Sequence, residues 1–250
     1  MTLHGPARLA LIFLVFLLAG TVKGVVGLGL PTVAVGLLGL VMAPREAAAL
    51  LVIPSLVTNA WQLFTGPAIG PLWRRLRPML AAIVAGTLAG GMLLPPAGSA
   101  GAVAALGGAL VLYGASGLAA FRLEVAPRWE ALAGPVVGFA TGAVTAATGV
   151  FVIPAVPYLG GLGLARDALV QALGLAFTAS TCALAASLLL AGEIPLRSAG
   201  TSLYALAPAL LGMWFGQAIR NRIRPAVFRR CFFIGVLGLG VHLMAQPFMQ

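Results

Sequence analysis

Between Arg8 and Arg45 the chain carries a single charged side chain, Lys23, which is also its only lysine. Seven further apolar stretches follow, each bounded by arginines or by turn-forming residues. An apolar run of roughly 18 residues or more is long enough to cross the hydrocarbon layer as a helix. Inside that layer each backbone N–H and C=O must find its partner within the spanning structure, which restricts the choice to helices and closed barrels. The 250 residues are 61% hydrophobic and 8% charged. A soluble domain carries roughly 25% charged residues, so this chain lacks the polar side chains to cover its own surface in water. The pattern predicts an all-α polytopic membrane protein, one membrane domain over residues 1–250 with about eight to ten membrane segments.

Charged and turn-forming residues divide the chain into apolar blocks at 9–43, 47–64, 79–94, 101–121, 131–164, 168–191, 199–219 and 231–245. Arg74, Arg75 and Arg77 fall in an expected loop at 66–78, and the five acidic residues Glu46, Glu124, Glu130, Asp167 and Glu193 all fall in loops by the same division. The blocks at 9–43 and 131–164 are too long for one straight crossing and short for two. Each is interrupted by small residues, over 20–31 (GTVKGVVGLGLP) and over 138–154, and each interruption ends on a proline, Pro31 or Pro154. They read as broken or re-entrant helices. Their likeness extends along the chain as an internal repeat with a period near 121: Gly20 and Gly27 align with Gly142 and Gly149, Arg45-Glu46 with Arg166-Asp167, and Gly86 and Gly90 with Gly212 and Gly216. Repeat one is expected over about 9–121, a charged connector over 122–130, and repeat two over about 131–247.

The arginines decide the threading. If the two long blocks cross once each, the arginines split seven against seven between the two faces. If each block enters and leaves on the same side, Arg74, Arg75, Arg77, Arg122, Arg128, Arg166 and the five from Arg220 to Arg230 share one face, and only Arg8, Arg45 and Arg197 lie on the other. Positive residues concentrate on the cytoplasmic side, so the second threading is expected. Each half then holds an odd number of crossings besides its even block, which inserts the second half upside down. Inverted repeats with discontinuous helices are an architecture of secondary transporters. Both termini are then extracytoplasmic. The N-terminal run shows no small-x-small cleavage pattern before its glycines and reads as a retained first segment.

An enzyme finds little material here. His4 and His242 lie near opposite ends, Cys182 and Cys231 are isolated, and no metal-ligand spacing, HExxH or GxSxG occurs. No cofactor is expected. The formal net charge of +10 belongs to arginines between membrane segments, which meet anionic headgroups, so no nucleic acid is expected. A carrier finds more. Unwound glycine backbone and half-helix N-termini suit an anion, and the two interruptions are expected to meet and form its site. The candidate residues there are Gly20, Thr21, Lys23, Gly24, Gly27, Gly29 and Thr32 in the first half, with Thr141, Thr145, Thr148 and Gly149 in the second. Lys23 has two readings, a charge lining the pathway or an anchor snorkelling to the interface. The glycines also have two, since GxxxG spacing equally serves close helix packing. A polar patch over 58–62 adds Asn59 and Gln62, and its counterpart over 178–182 adds Ser180 and Thr181, with Gln171 facing the same cavity and Trp61 at the interface.

The spacing of Gly20, Gly24, Gly27, Gly29 and Pro31, its echo over 138–154, and the segment PSLVTNAWQLF over 54–64 resemble the TauE/SafE family of sulfite exporters. The resemblance covers nearly the whole chain. It implies a multi-pass carrier of a bacterial cell membrane moving small sulfur-containing anions such as sulfite or organosulfonates, usually outward. The expected partners are therefore a small anion and the lipid bilayer, with coupling to protons or to the membrane potential, in a chain that can oligomerise. An uncoupled anion channel and a non-transporting membrane scaffold are the alternatives.

Overall fold

Glycine or proline stands at many of the helix ends in this chain. The computed structural model describes residues 5–66, 68–93, 100–119, 124–192, 196–220, 222 and 225–246. Four helices open on a proline, whose fixed φ and missing N–H suit a first helical turn: α1 (Pro6–Val26), α3 (Pro44–Phe64), α6 (Pro127–Thr148) and α10 (Pro225–Ala245). Between them lie α2 (Leu30–Leu38), α4 (Ile69–Leu93), α5 (Ala100–Leu118), α7 (Ala155–Gly160), α8 (Arg166–Leu190) and α9 (Leu196–Ile219), with no strand among the described residues. Eight of these helices are long and apolar enough to cross a membrane, and α2 and α7 are the short ones. The chain is an all-α polytopic membrane protein.

Prolines inside the helices are accommodated by neighbours. Pro54 in α3 cannot donate to the Leu50 carbonyl one turn earlier. The Ser202 hydroxyl of α9 donates to that carbonyl instead, at 2.9 Å, and accepts the Ile53 N–H at 3.2 Å. Helix starts lie further out than the apolar blocks. Arg74, Arg75 and Arg77 belong to α4 itself, not to a loop, and Glu46, Glu130 and Asp167 occupy the first turns of α3, α6 and α8. A helix extends past the hydrocarbon into the headgroups, where charge is cheap, and an acidic first turn favours the helix dipole. His4, Arg122, Glu193, Arg224 and the side chain of Arg197 lie outside the described residues.

Contacts between helix ends show how the long blocks are threaded. Arg8 at the start of α1 pairs with Glu46 at the start of α3. This exposed pair adds little stability, but it brings both ends of the first block to one end of the bundle. In the second block Val125 N–H donates to Gly161 O at 3.0 Å and Tyr158 Oη to Glu130 O at 3.3 Å, so the start of α6 meets the end of α7. Arg75 at the start of α4 grips Glu130 through Nε at 2.5 Å and Nη2 at 2.9 Å. The second block therefore opens at the far end of α3, opposite the end where the first block opens.

Helix pairs follow the same correspondence. α1 packs on α9 as α6 packs on α4, while α3 pairs with α8 and α5 with α10. A Cβ on Gly20 would overlap the Ala209 carbonyl of α9, and one on Gly142 would overlap the Ile83 carbonyl of α4. Backbones approach this closely only where side chains are absent. α3 and α8 are the most enclosed crossings, with 56% of each buried. They run antiparallel: Gln171 near the start of α8 donates to the carbonyls of Leu63, in the last turn of α3, and of Gly66 just beyond it, whereas Ala48 and Ala49 cluster with Leu184 and Leu188.

A buried lysine between two helix breaks

Lys23 sits in the last turn of α1 and is 5% exposed. It does not snorkel. Its Nζ donates to Asn59 Oδ1 and, at 3.1 Å, to Thr58 Oγ1, both on α3. Asn59 Nδ2 in turn donates to Thr181 Oγ1 of α8 at 3.3 Å, and the Thr181 and Thr58 hydroxyls donate to the Phe177 and Pro54 carbonyls of their own helices, each at 2.7 Å. The resulting chain joins α1, α3 and α8. No charged neighbour acts on Lys23 among the described residues. Taking an ammonium out of water costs several kcal/mol even after relaxation, and two neutral oxygens return only part of that.

Further polar groups lie along the same helices. Ser55, Asn59 and Gln62 recur at i, i+4 and i+7 on one face of α3. Ser55 Oγ, Gln62 Oε1 and Ser180 Oγ are buried without a hydrogen-bond partner among the described residues. Such groups are rare in settled interiors and mark places where water or a ligand completes the bonding. Thr58 lies in the polar patch over 58–62, whereas Ser55 was absent from the residues singled out above, although the spacing of polar residues along α3 signals it. Trp61 is 62% exposed and faces outward. Gln171 serves the turn after α3, also accepting the Ala68 N–H at 2.8 Å, and does not join Lys23.

The interruptions are shorter than the glycine runs that announce them. α1 continues unbroken through Gly20, Thr21 and Gly24, and the break is confined to Gly27–Gly29, where φ is +82° and +108° at the two glycines. Gly20 and Gly24 are packing residues, set against the backbone of α9 at Ala209 and Met213. α6 likewise continues to Thr148 and is capped by Gly149 at φ +72°. The hydroxyls of Thr21, Thr141, Thr145 and Thr148 donate to carbonyls of their own helices, and Thr32 donates to Gly29 O at 2.9 Å. None of these bonds reaches Lys23.

Nor do the two breaks meet. Gly27 O accepts from Gln62 Nε2 at 3.3 Å, near the end of α3, while Gly149 lies against Ala48, near its start. At 1.5 Å per residue these levels are about 21 Å apart along α3. α1 and α6 are nearly full-length crossings, so each carries its break past the middle. The Lys23 cluster lies between the breaks, with one on either side. Around Gly27 there is open space for a Cβ, and Val26, Gly27 and Leu28 are half-buried. Val150, Phe151 and Val152 of the second break are fully buried, with the Phe151 ring tilted against Phe177 of α8 at 5.3 Å between centroids.

A family model described as sulfite exporter TauE/SafE matches residues 12–243. No curated protein and no solved structure matches the chain.

Proposed function

The chain belongs to the sulfite exporter TauE/SafE family, and from that premise we propose that it carries a small sulfur-containing anion, sulfite or an organosulfonate, with the Lys23 cluster as the binding site. The observation that supports this most is a buried lysine Nζ with only neutral partners on α3, together with the unpartnered buried hydroxyls of Ser55 on the same helix and Ser180 on α8. A sulfonate offers three acceptor oxygens and a negative charge, which the lysine and two hydroxyls complement. Charge-assisted hydrogen bonds of this kind are about twice as strong as neutral ones. A scaffold protein has no use for such groups in its interior, and a sealed second break speaks against an open channel.

Transport proceeds by alternating access. The two helix pairs α1–α9 and α4–α6 move against the α3–α8 pair, opening one break as the other closes. The arginine-rich end is cytoplasmic and both termini are extracytoplasmic, in the inner membrane of a bacterium. An inside-negative potential drives an unaccompanied anion outward by about 2.3 kcal/mol per charge per 100 mV. The test is flux of labelled sulfite, sulfoacetate and a simple carboxylate through the purified protein in liposomes. Flux of a sulfur anion, selective over the carboxylate and lost in Lys23→Ala, is the expected result. Equal flux in Lys23→Ala would falsify the site.

A further inference from the structure

We propose that Lys23 is the coupling group of this carrier: it takes up a proton as the anion binds and releases it as the anion leaves, so the two cross together. The inference rests on the anion site proposed above. Its ground is the number of bonds at Nζ. Two acceptors face it, Thr58 Oγ1 and Asn59 Oδ1. Neither is free to turn away, because Thr58 is held by its bond to Pro54 O and Asn59 by its bond to Thr181. A neutral amine has two N–H groups, which these acceptors satisfy. An ammonium has a third, for which the described residues supply no oxygen, and an anion oxygen is the missing partner. The empty site thus suits the amine and the loaded site the ammonium.

Among the described residues no other charge takes over this role, and on α8 Arg166, Asp167 and Cys182 are exposed. On the helices packed around α1, Glu46 of α3 is held by Arg8 at the bundle end, and Tyr204 of α9 lies by Phe13 near the start of α1. On α10, Arg229, Arg230, Cys231 and His242 are exposed, and α2 has no titratable residue. Arg45 adjoins Glu46 at that same end. Proton balance is simple: a hydronium on the open side protonates the Nζ lone pair and leaves water, and on the other side Nζ returns the proton to water. The half-buried break at Gly27 and Leu28 lies on the side where Gln62 ends the polar face, which gives water its approach. A monovalent anion then crosses as a neutral pair, and the membrane potential no longer drives it. Concentration and pH gradients do.

The experiment uses wild-type protein in liposomes containing a pH dye, with the potential clamped by potassium and valinomycin. Methanesulfonate is the probe, because its acid is fully dissociated and any proton that moves must come through the protein. One proton should enter with each methanesulfonate, and net flux should change less than about twofold between 0 and 100 mV. An uncoupled anion at that voltage would show an accumulation ratio shifted by roughly 50-fold. Lys23→Arg, which keeps its proton, should still exchange anion for anion while net flux falls at least about tenfold. Potential-driven flux without proton movement, with Lys23→Ala inactive, overturns the coupling and leaves the site. Undiminished flux in Lys23→Ala, or no movement of methanesulfonate or sulfite by wild type, overturns both. The wild-type proton count decides alone if Lys23→Arg does not fold.

Discussion

The two helix breaks share a backbone and differ in nearly everything attached to it. Gly27 N–H donates to Lys23 O at 2.7 Å and Gly149 N–H donates to Thr145 O at 2.8 Å, each glycine in the left-handed region. One turn back, the first break has a lysine reaching to Asn59, and the second has a threonine bonded to its own helix. The first break is half-open and the second is sealed by Val150, Phe151 and Val152. Shared geometry therefore shapes the frame, while the buried lysine comes from one half alone. A second buried lysine would double the cost of desolvation.

Sidedness tests the frame most sharply. Glu46→Cys and Asp167→Cys, aligned in the two halves and both exposed, should react with an impermeant thiol reagent from opposite sides of the membrane in a background lacking Cys182 and Cys231. Labelling from one side would break the inverted pairing. Next in size is the chemical contrast. Lys23→Met should lower flux about 100-fold, the scale for truncating a buried hydrogen-bonded charge, whereas Thr145→Val should stay within about threefold because that hydroxyl serves only its own helix. Comparable losses would return the second break to the binding site. Asn59→Ala should cost about tenfold through loss of one charged hydrogen bond of roughly 1.5 kcal/mol, and Ser180→Ala less. Smallest is the effect on the caps. Both Gly27→Ala and Gly149→Ala place a side chain at positive φ for about 1 kcal/mol, and Gly149→Ala also meets the Ala48 side chain, so its melting temperature should fall further.

The sequence pattern carried the class, the number of crossings and the even threading of the long blocks, because these follow from where hydrocarbon and arginine can sit. It did not locate the breaks. Glycine serves both a close helix crossing and an αL cap, and only the Ala209 carbonyl against Gly20, or open space beside Gly27, tells the two apart. The same ambiguity carried Gly20, Gly24 and the α6 threonines into the expected site. Lys23 was undecided from sequence since snorkelling depends on where the helix lies, whereas Asn59 was found by its polarity inside an apolar helix. Ser202 escaped notice altogether: its partner is a carbonyl freed by Pro54, and no local pattern links residues 152 apart.

The contact of Phe151 with Phe177 has a meaning for the cell that binding alone does not require. An energised membrane stores energy as a difference in protons, and each carrier embedded in it is a potential leak. Water wires conduct protons wherever polar groups run continuously from one side to the other. Three fully buried apolar residues, Phe151 among them in contact with Phe177, interrupt such a wire at the second break. The insulation of the stored gradient falls to the half of the molecule that holds no charge at its break.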